Sequence, residues 1–166
     1  ICADVQTGEY LASVTEAFPR ELIPAVTFIV AALISFSTGT SWGTMSILVP
    51  VIVPVLLGGE GVDPNRVVQG PIFLSAFAAV LSGAVFGDHC SPISDTTILS
   101  SMASGSDHID HVRTQLPYAL TSGAIAVILG FVLVGYGIPW IVTMTLAVAA
   151  TVAAVRLFGK SLEVPD

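Results

Sequence analysis

Read by polarity alone, the chain consists of long apolar blocks separated by short polar stretches. No Asp, Glu, Lys, Arg or His occurs in residues 22–57, 67–87 or 114–155, and a membrane-spanning helix needs about 20 predominantly apolar residues. The first block is interrupted by Ser37-Thr38-Gly39-Thr40-Ser41-Trp42-Gly43-Thr44, which holds five hydroxyls and two glycines. Each apolar arm beside it is shorter than a span, so the pattern predicts a re-entrant helical hairpin over 22–57 with its tip at 37–44. The second apolar segment, 66–103, carries the helix-breaking run Gly87-Asp88-His89-Cys90-Ser91-Pro92. A discontinuous transmembrane helix broken at 87–92 is predicted there, with half-helices over about 71–86 and 92–103. The last block divides at Gly135-Tyr136-Gly137-Ile138-Pro139, giving two ordinary transmembrane helices over 115–134 and 138–157. Residues 1–21 read as an amphipathic connector at the interface, with Tyr10, Leu11, Val14 and Phe18 at helical spacing. Residues 58–65 read as an aqueous turn, 104–113 as a charged loop and 158–166 as a tail. The predicted fold class is an all-α polytopic membrane protein.

Composition strengthens the membrane assignment. Hydrophobic residues make up 54% of the chain and charged ones 10%, with a mean hydropathy of +0.89, outside the balance of soluble domains. The net charge of −7 comes mostly from predicted loops and ends, which argues against nucleic acid as a partner. Cys2 and Cys90 supply neither a disulfide framework nor a zinc-ligand spacing, and no cofactor is expected. With no initiator Met and no basic leader before an apolar stretch, the chain reads as a fragment. Arg113, Arg156 and Lys160 fall on one side of the predicted spans, which the positive-inside tendency assigns to the cytoplasm, against Arg20 and Arg66 on the other. The expected location is a cell membrane, crossed several times.

The chemistry sits in the two interruptions. Unwound backbone survives at membrane depth only where it is buried in protein or lines a water-filled cavity, and intramembrane carboxylates mark ion or proton pathways. Asp88 follows the C-terminal end of a half-helix, whose carbonyls suit a small cation. Ser91-Pro92 opens the next half-helix in cap-then-N1 order, with Ser94 and Asp95 in its electropositive first turn. These surroundings suit Asp88 to alternate between a proton and a sodium ion, with Asp95 remaining ionised and holding the geometry. Sodium is expected at Asp88 and Asp95, with Ser91, Ser94, Thr96, Thr97 and exposed carbonyls as further oxygen ligands. Ser37, Thr38, Gly39, Thr40, Ser41 and Thr44 form a substrate-facing hairpin tip.

Blander readings stand beside these. Asp95 can be a helix-start residue, His89 a proton relay or a hydrogen-bonded structural residue, and the tip a close-packed helix contact. His108 and His111 read as a solvated loop, with pH sensing as the alternative. A rival from another class is an intramembrane hydrolase using Ser91 or Ser94 with His89, or a metal enzyme on Asp88, His89 and Cys90. Its weakness is the absence of a second histidine within the apolar blocks.

The two motifs Phe36-Ser37-Thr38-Gly39-Thr40-Ser41-Trp42-Gly43-Thr44 and Gly87-Asp88-His89-Cys90-Ser91-Pro92-Ile93-Ser94-Asp95-Thr96-Thr97 resemble the signatures of NhaC-type sodium/proton antiporters of the ion-transporter superfamily. The resemblance covers residues 22–120 by motif and the rest by hydropathy. It implies one half of an inverted-repeat transporter, in which each half carries a hairpin followed by a broken helix. This chain would be the C-terminal half, with the N-terminal half of the same transporter as its partner and a homodimer compatible with the pattern. It also implies sodium/proton antiport, with sodium- and proton-coupled exchange of organic acids such as malate and lactate as the alternative within the family.

Overall fold

The computed structural model describes residues 19–57 and 64–158, so the connector over residues 1–18, the turn at 58–63 and the tail after Phe158 lie outside the described residues. A short 3-10 turn at Arg20–Leu22 leads into α1 (Ile23–Thr38), followed by α2 (Ser41–Leu57), α3 (Pro64–Val68), α4 (Pro71–Cys90), α5 (Asp95–Ser104), α6 (His108–Gly135) and α7 (Trp140–Phe158). Among the described residues there is no strand, and the chain is all-α as expected. Four stretches are long and apolar enough to cross a bilayer: Arg20–Thr38, α4, α6 and α7.

The first interruption is narrower than the hydroxyl run suggests. Helix continues through Ser37 and Thr38 because their side chains bond back to the preceding turn, Ser37 Oγ donating to Leu33 O at 2.8 Å and Thr38 Oγ1 to Ile34 O at 2.9 Å. Ser46 does the same toward Trp42 O on the other arm. A hydroxyl that satisfies itself this way carries no demand for outside partners. The reversal is left to Gly39, at φ +67°, and Thr40, whose Oγ1 accepts from Gly43 N at 3.3 Å and caps α2. The first arm is therefore 16 residues and the second 17, and the first reaches span length with its 3-10 entry.

α1 and α4 lie side by side in the same direction, Phe28 level with Gly83 and Ala32 with Gly87. The seam is made of small residues, Ala25, Ala31, Ala76, Ala79, Gly83, Ala84 and Gly87, all buried. Small side chains let two backbones approach closely where lipid gives helices no hydrophobic reason to associate. A Cβ on Gly83 would stand 2.5 Å from Phe28 O, and one on Gly87 would overlap Ala32 O and stand 2.8 Å from Phe36 N. Ser35, fully buried, donates to Ala84 O at 2.6 Å across the seam.

α6 runs antiparallel to this pair. It begins at His108 rather than 115 because Asp107 caps it, Oδ1 accepting from Ile109 N at 2.9 Å and Asp110 N at 3.1 Å. The residues read as a charged loop up to 113 thus split between a turn and the first turns of a helix. Toward its C-terminal end, Ala126–Val132 is π-helical. There Phe131 meets Phe28 at 5.2 Å between ring centroids, and Phe28 meets Phe86 at 5.5 Å, distances at which aromatic pairs attract. Gly135 abuts the carbonyl of Glu21 so closely that a side chain would overlap it. α7 follows the turn at residues 136–139 and exposes most of its apolar surface.

Candidate ion-binding site

The second interruption also differs in register from the expected one. α4 keeps its helical turns through Gly87, Asp88, His89 and Cys90, and the unwound stretch is Ser91 to Ser94. The helix persists because Gly87 fits tightly against α1 and Ser91 N still reaches Asp88 O at 3.1 Å. The cap-then-N1 order assigned to Ser91-Pro92 falls instead on Ser94 and Asp95. Ser94 is the N-cap of α5, its Oγ accepting from Thr96 N at 3.2 Å. Ser91 Oγ accepts from Ile93 N at 3.3 Å and donates to Phe36 O at 2.7 Å. That bond ties the break to the end of α1.

The two interruptions meet. Gly39 packs on the backbone of Ile93, where a Cβ would lie 2.9 Å from the carbonyl oxygen. With a left-handed φ and no room for a side chain, position 39 admits glycine for two independent reasons. The hairpin turn and the unwound stretch therefore form one contact region at the same end of the α1–α4 pair.

At its centre is Asp88, 8% exposed on the last turn of α4. Its Oδ1 accepts from Ser94 Oγ at 2.7 Å and its Oδ2 from Thr96 Oγ1 at 3.2 Å, while the two hydroxyls stand 2.8 Å apart. This is a compact oxygen cluster with one carboxylate and two hydroxyls, each hydroxyl having a single proton to give. A cation could take the place of those protons if both hydroxyls turned their O–H bonds outward, and a proton on Asp88 would be shared among the same oxygens. Thr96 is exposed, so the cluster is open on that side, while Ser94 and the neighbouring Ser91 of the unwound stretch are buried.

The other candidates divide by where the helix register puts them. Thr97, buried, donates to His89 O at 3.3 Å and Ser91 to Phe36 O, so both hold the break together. Asp95 is exposed on the first turn of α5, and its carboxylate makes no hydrogen bond among the described residues. It stands beside the cluster without bracing it. At the tip, Ser37, Thr38 and Thr40 are exposed, Ser41 is half-buried, and Thr44 is buried with Oγ1 donating to Thr40 O at 2.9 Å. His89 is exposed and bonds through Nε2 to the Gln115 amide, which also donates to His89 O at 3.2 Å.

Two residues that sequence reading passed over belong here. Gln115 was visible only as a polar residue at the start of an apolar block. His108, read as part of a solvated loop, reaches Pro92 O through Nε2 at 2.7 Å and Ser101 Oγ through Nδ1 at 3.1 Å. The only signal for His108 was its place directly after Asp107, a residue type suited to cap a helix. Neither Ser91 nor Ser94 bonds to His89, and among the described residues no group of three His, Cys, Asp or Glu converges on a metal position. The hydrolase and metalloenzyme arrangements are thus not assembled.

Ser94 has the most to lose on truncation, since it caps α5 and contacts the carboxylate at once. Ser94→Ala removes both bonds and is expected to lower the thermal midpoint of the detergent-solubilised protein by several degrees. A thermal melt checks this, and an unchanged midpoint would show that Ser94 neither steadies the start of α5 nor braces the carboxylate.

Comparison with known proteins gives this geometry a setting. A model described as the Na+/H+ antiporter family matches residues 1–136. An uncharacterized protein of Haemophilus influenzae is 44% identical over 137 residues, covering 82% of this chain and 24% of the relative. The malate-2H+/Na+-lactate antiporter of Bacillus subtilis is 39% identical, over 66% of this chain and 21% of its own. The Na+/H+ antiporter NhaC of Alkalihalophilus pseudofirmus is 35% identical, also over 66% and 21%. The chain spans about a quarter of the length of these relatives, 24% at most among the three. No solved structure matches.

Proposed function

The chain belongs to the Na+/H+ antiporter family, a family of integral membrane proteins, and from that premise we propose that it carries a cation-binding part of a secondary transporter exchanging sodium for protons. The observation that carries the reading is the paired engagement of both Asp88 oxygens by Ser94 and Thr96 at an unwound stretch between two helices. One carboxylate served by two rotatable hydroxyls can hold a sodium ion or a proton, not both at full strength. Competition for that single charge couples the two flows in opposite directions.

In this reading Asp88, Ser94 and Thr96 are the ligands, and Asp95 stands at the open side, where a fixed negative charge raises the local concentration of cations. Ser91 and Thr97 hold the backbone of the break. Gly39 and Thr40 bring the hairpin turn against it, and the remaining tip hydroxyls Ser37, Thr38, Ser41 and Thr44 line or support that turn. His89, with Nε2 engaged by Gln115, is a structural link between α4 and α6 rather than a relay. The hairpin over α1 and α2 is re-entrant, entering and leaving on one face. The full-length transporter lies in the cytoplasmic membrane, with the remainder of its own chain completing the site at the interface. It is a transporter and not an enzyme.

Everted vesicles with a pH-sensitive dye test the proposal. Addition of sodium to energised vesicles containing the full-length protein is expected to release protons at a rate that saturates with sodium. Sodium-independent proton movement would overturn it. Radiolabelled malate and lactate added to the same vesicles separate the cation-only reading, which expects no uptake, from sodium-coupled exchange of organic acids.

A further inference from the structure

The unwound residues 91–94 pose an accounting question, because backbone carbonyls in an interrupted helix lose the partners that a continuing one would give them. Ser91 O accepts from Ser94 N at 3.4 Å and Ser94 O from Ile98 N at 3.0 Å, the latter as α5 begins. The Pro92 carbonyl is met from outside the break, by the imidazole of His108 at 2.7 Å. A carbonyl cannot donate, so Nε2 carries the hydrogen. The other ring nitrogen, Nδ1, is then an acceptor and lies 3.1 Å from the hydroxyl of Ser101, which is buried on α5 and has one hydrogen to place either on Nδ1 or on Ile98 O, 2.8 Å away. One side chain at the first position of α6 therefore spans the break, the body of α5 and the start of α6.

We propose that His108 is a positioning residue of the transport site, clamping the Pro92 carbonyl to α5 through Ser101 so that Ser94 and Thr96 stay aimed at Asp88. The inference rests on the reading of Asp88 as the cation ligand. It follows from how the parts are joined. Ser94 caps α5 and Thr96 belongs to its first turn, while Asp88 lies on the last turn of α4, with five residues between Asp88 and Ser94. The direction in which α5 leaves the break fixes the oxygen–oxygen distances of the cluster. The Ser91 bond to Phe36 O holds the near end of the break to α1, and the His108 bridge holds its far side. Without that bridge the Pro92 carbonyl is free to rotate and α5 to swing, which loosens the cluster without removing any ligand.

The test uses the full-length transporter carrying His108→Leu, His108→Gln and Ser101→Ala, with Asp88→Asn as control. Glutamine places an N–H donor where Nε2 stood, and leucine keeps the bulk without it. His108→Leu is expected to raise the apparent sodium KM about fivefold with the maximal rate within about twofold, and His108→Gln to restore KM to within about twofold of wild type. Ser101→Ala should fall between them. A second readout does not depend on transport: Cys90, buried beside the break, is left as the single cysteine and alkylated with a membrane-permeant maleimide. Its labelling is expected to accelerate several-fold in His108→Leu and not in His108→Gln.

Wild-type KM and wild-type labelling in His108→Leu would overturn the proposal. So would equal impairment of the Leu and Gln variants, which would mean that bulk or folding and not the donated hydrogen bond matters. If His108→Leu fails to reach the membrane, the Gln and Ser101→Ala variants decide by the same criteria. Should Asp88→Asn transport sodium normally, the site reading fails, while the labelling contrast still judges the clamp.

Discussion

Replacing Asp88 by Asn is expected to abolish sodium-dependent proton movement in everted vesicles of the full-length protein, a fall of at least about 100-fold. The substitution keeps size and shape, so folding should survive. Asn Oδ1 can still accept from Ser94, but its amide now presents hydrogens toward Thr96 where an acceptor had been, and the negative charge is gone. Without that charge neither cation nor proton has a reason to reside among the oxygens. Size-exclusion profiles of the solubilised protein should match wild type, which separates a lost function from a lost fold. Antiport at the wild-type rate would remove Asp88 from the mechanism and with it the meaning assigned to the oxygen cluster.

Gly87→Ala should be the most damaging change of a single methyl group in the described residues near the site. The added carbon would overlap the Ala32 carbonyl and crowd Phe36 N at 2.8 Å, and both are backbone atoms of a helix that cannot step aside alone. Overpacking of this kind costs about 1–3 kcal/mol and more where backbone must move. The α1–α4 seam would have to open by a large fraction of an ångström, carrying Ser91 away from Phe36 O. The expected outcome is a drop of several degrees in the thermal midpoint of the detergent-solubilised protein, together with a raised sodium KM. Gly123→Ala offers a contrast, since its Cβ would meet the ring of Phe86 at 2.6 Å. A ring can tilt, so a smaller loss is expected. Equal midpoints for Gly87→Ala and wild type would show the seam to be looser than drawn.

Hydropathy made the existence of most of these helices legible, because uncharged stretches of span length have few other uses. It placed their ends less well. The hydroxyls of Ser37 and Thr38 look like interruptions in a sequence and are not, since each turns inward on its own helix. The break drawn at 87–92 moved to 91–94 for the opposite reason: Gly87 looks like a helix breaker and serves as a contact surface. α6 starts early because an Asp in a polar run is a cap as readily as a loop residue. At the site, Asp88 with Ser94 and Thr96 could be proposed from spacing, one helical end meeting the next. Asp95 shows the limit of that argument, because one residue of register separates a side chain inside the cluster from one outside it. The roles of His108 and Gln115 depend on how α6 crosses the break, which no local pattern encodes.

The common direction of α1 and α4 has a bearing on the path of the ion. Since both helices climb together and are sewn by buried glycine and alanine, the turn at Gly39 and the gap after Cys90 arrive at one height and travel as a single plank. Tipping that plank shifts the carboxylate and the loop facing it by the same amount, so it cannot part them. Under the proposed function, an ion held at Asp88 leaves by the flank the plank leaves uncovered, where Thr96 and Asp95 are exposed.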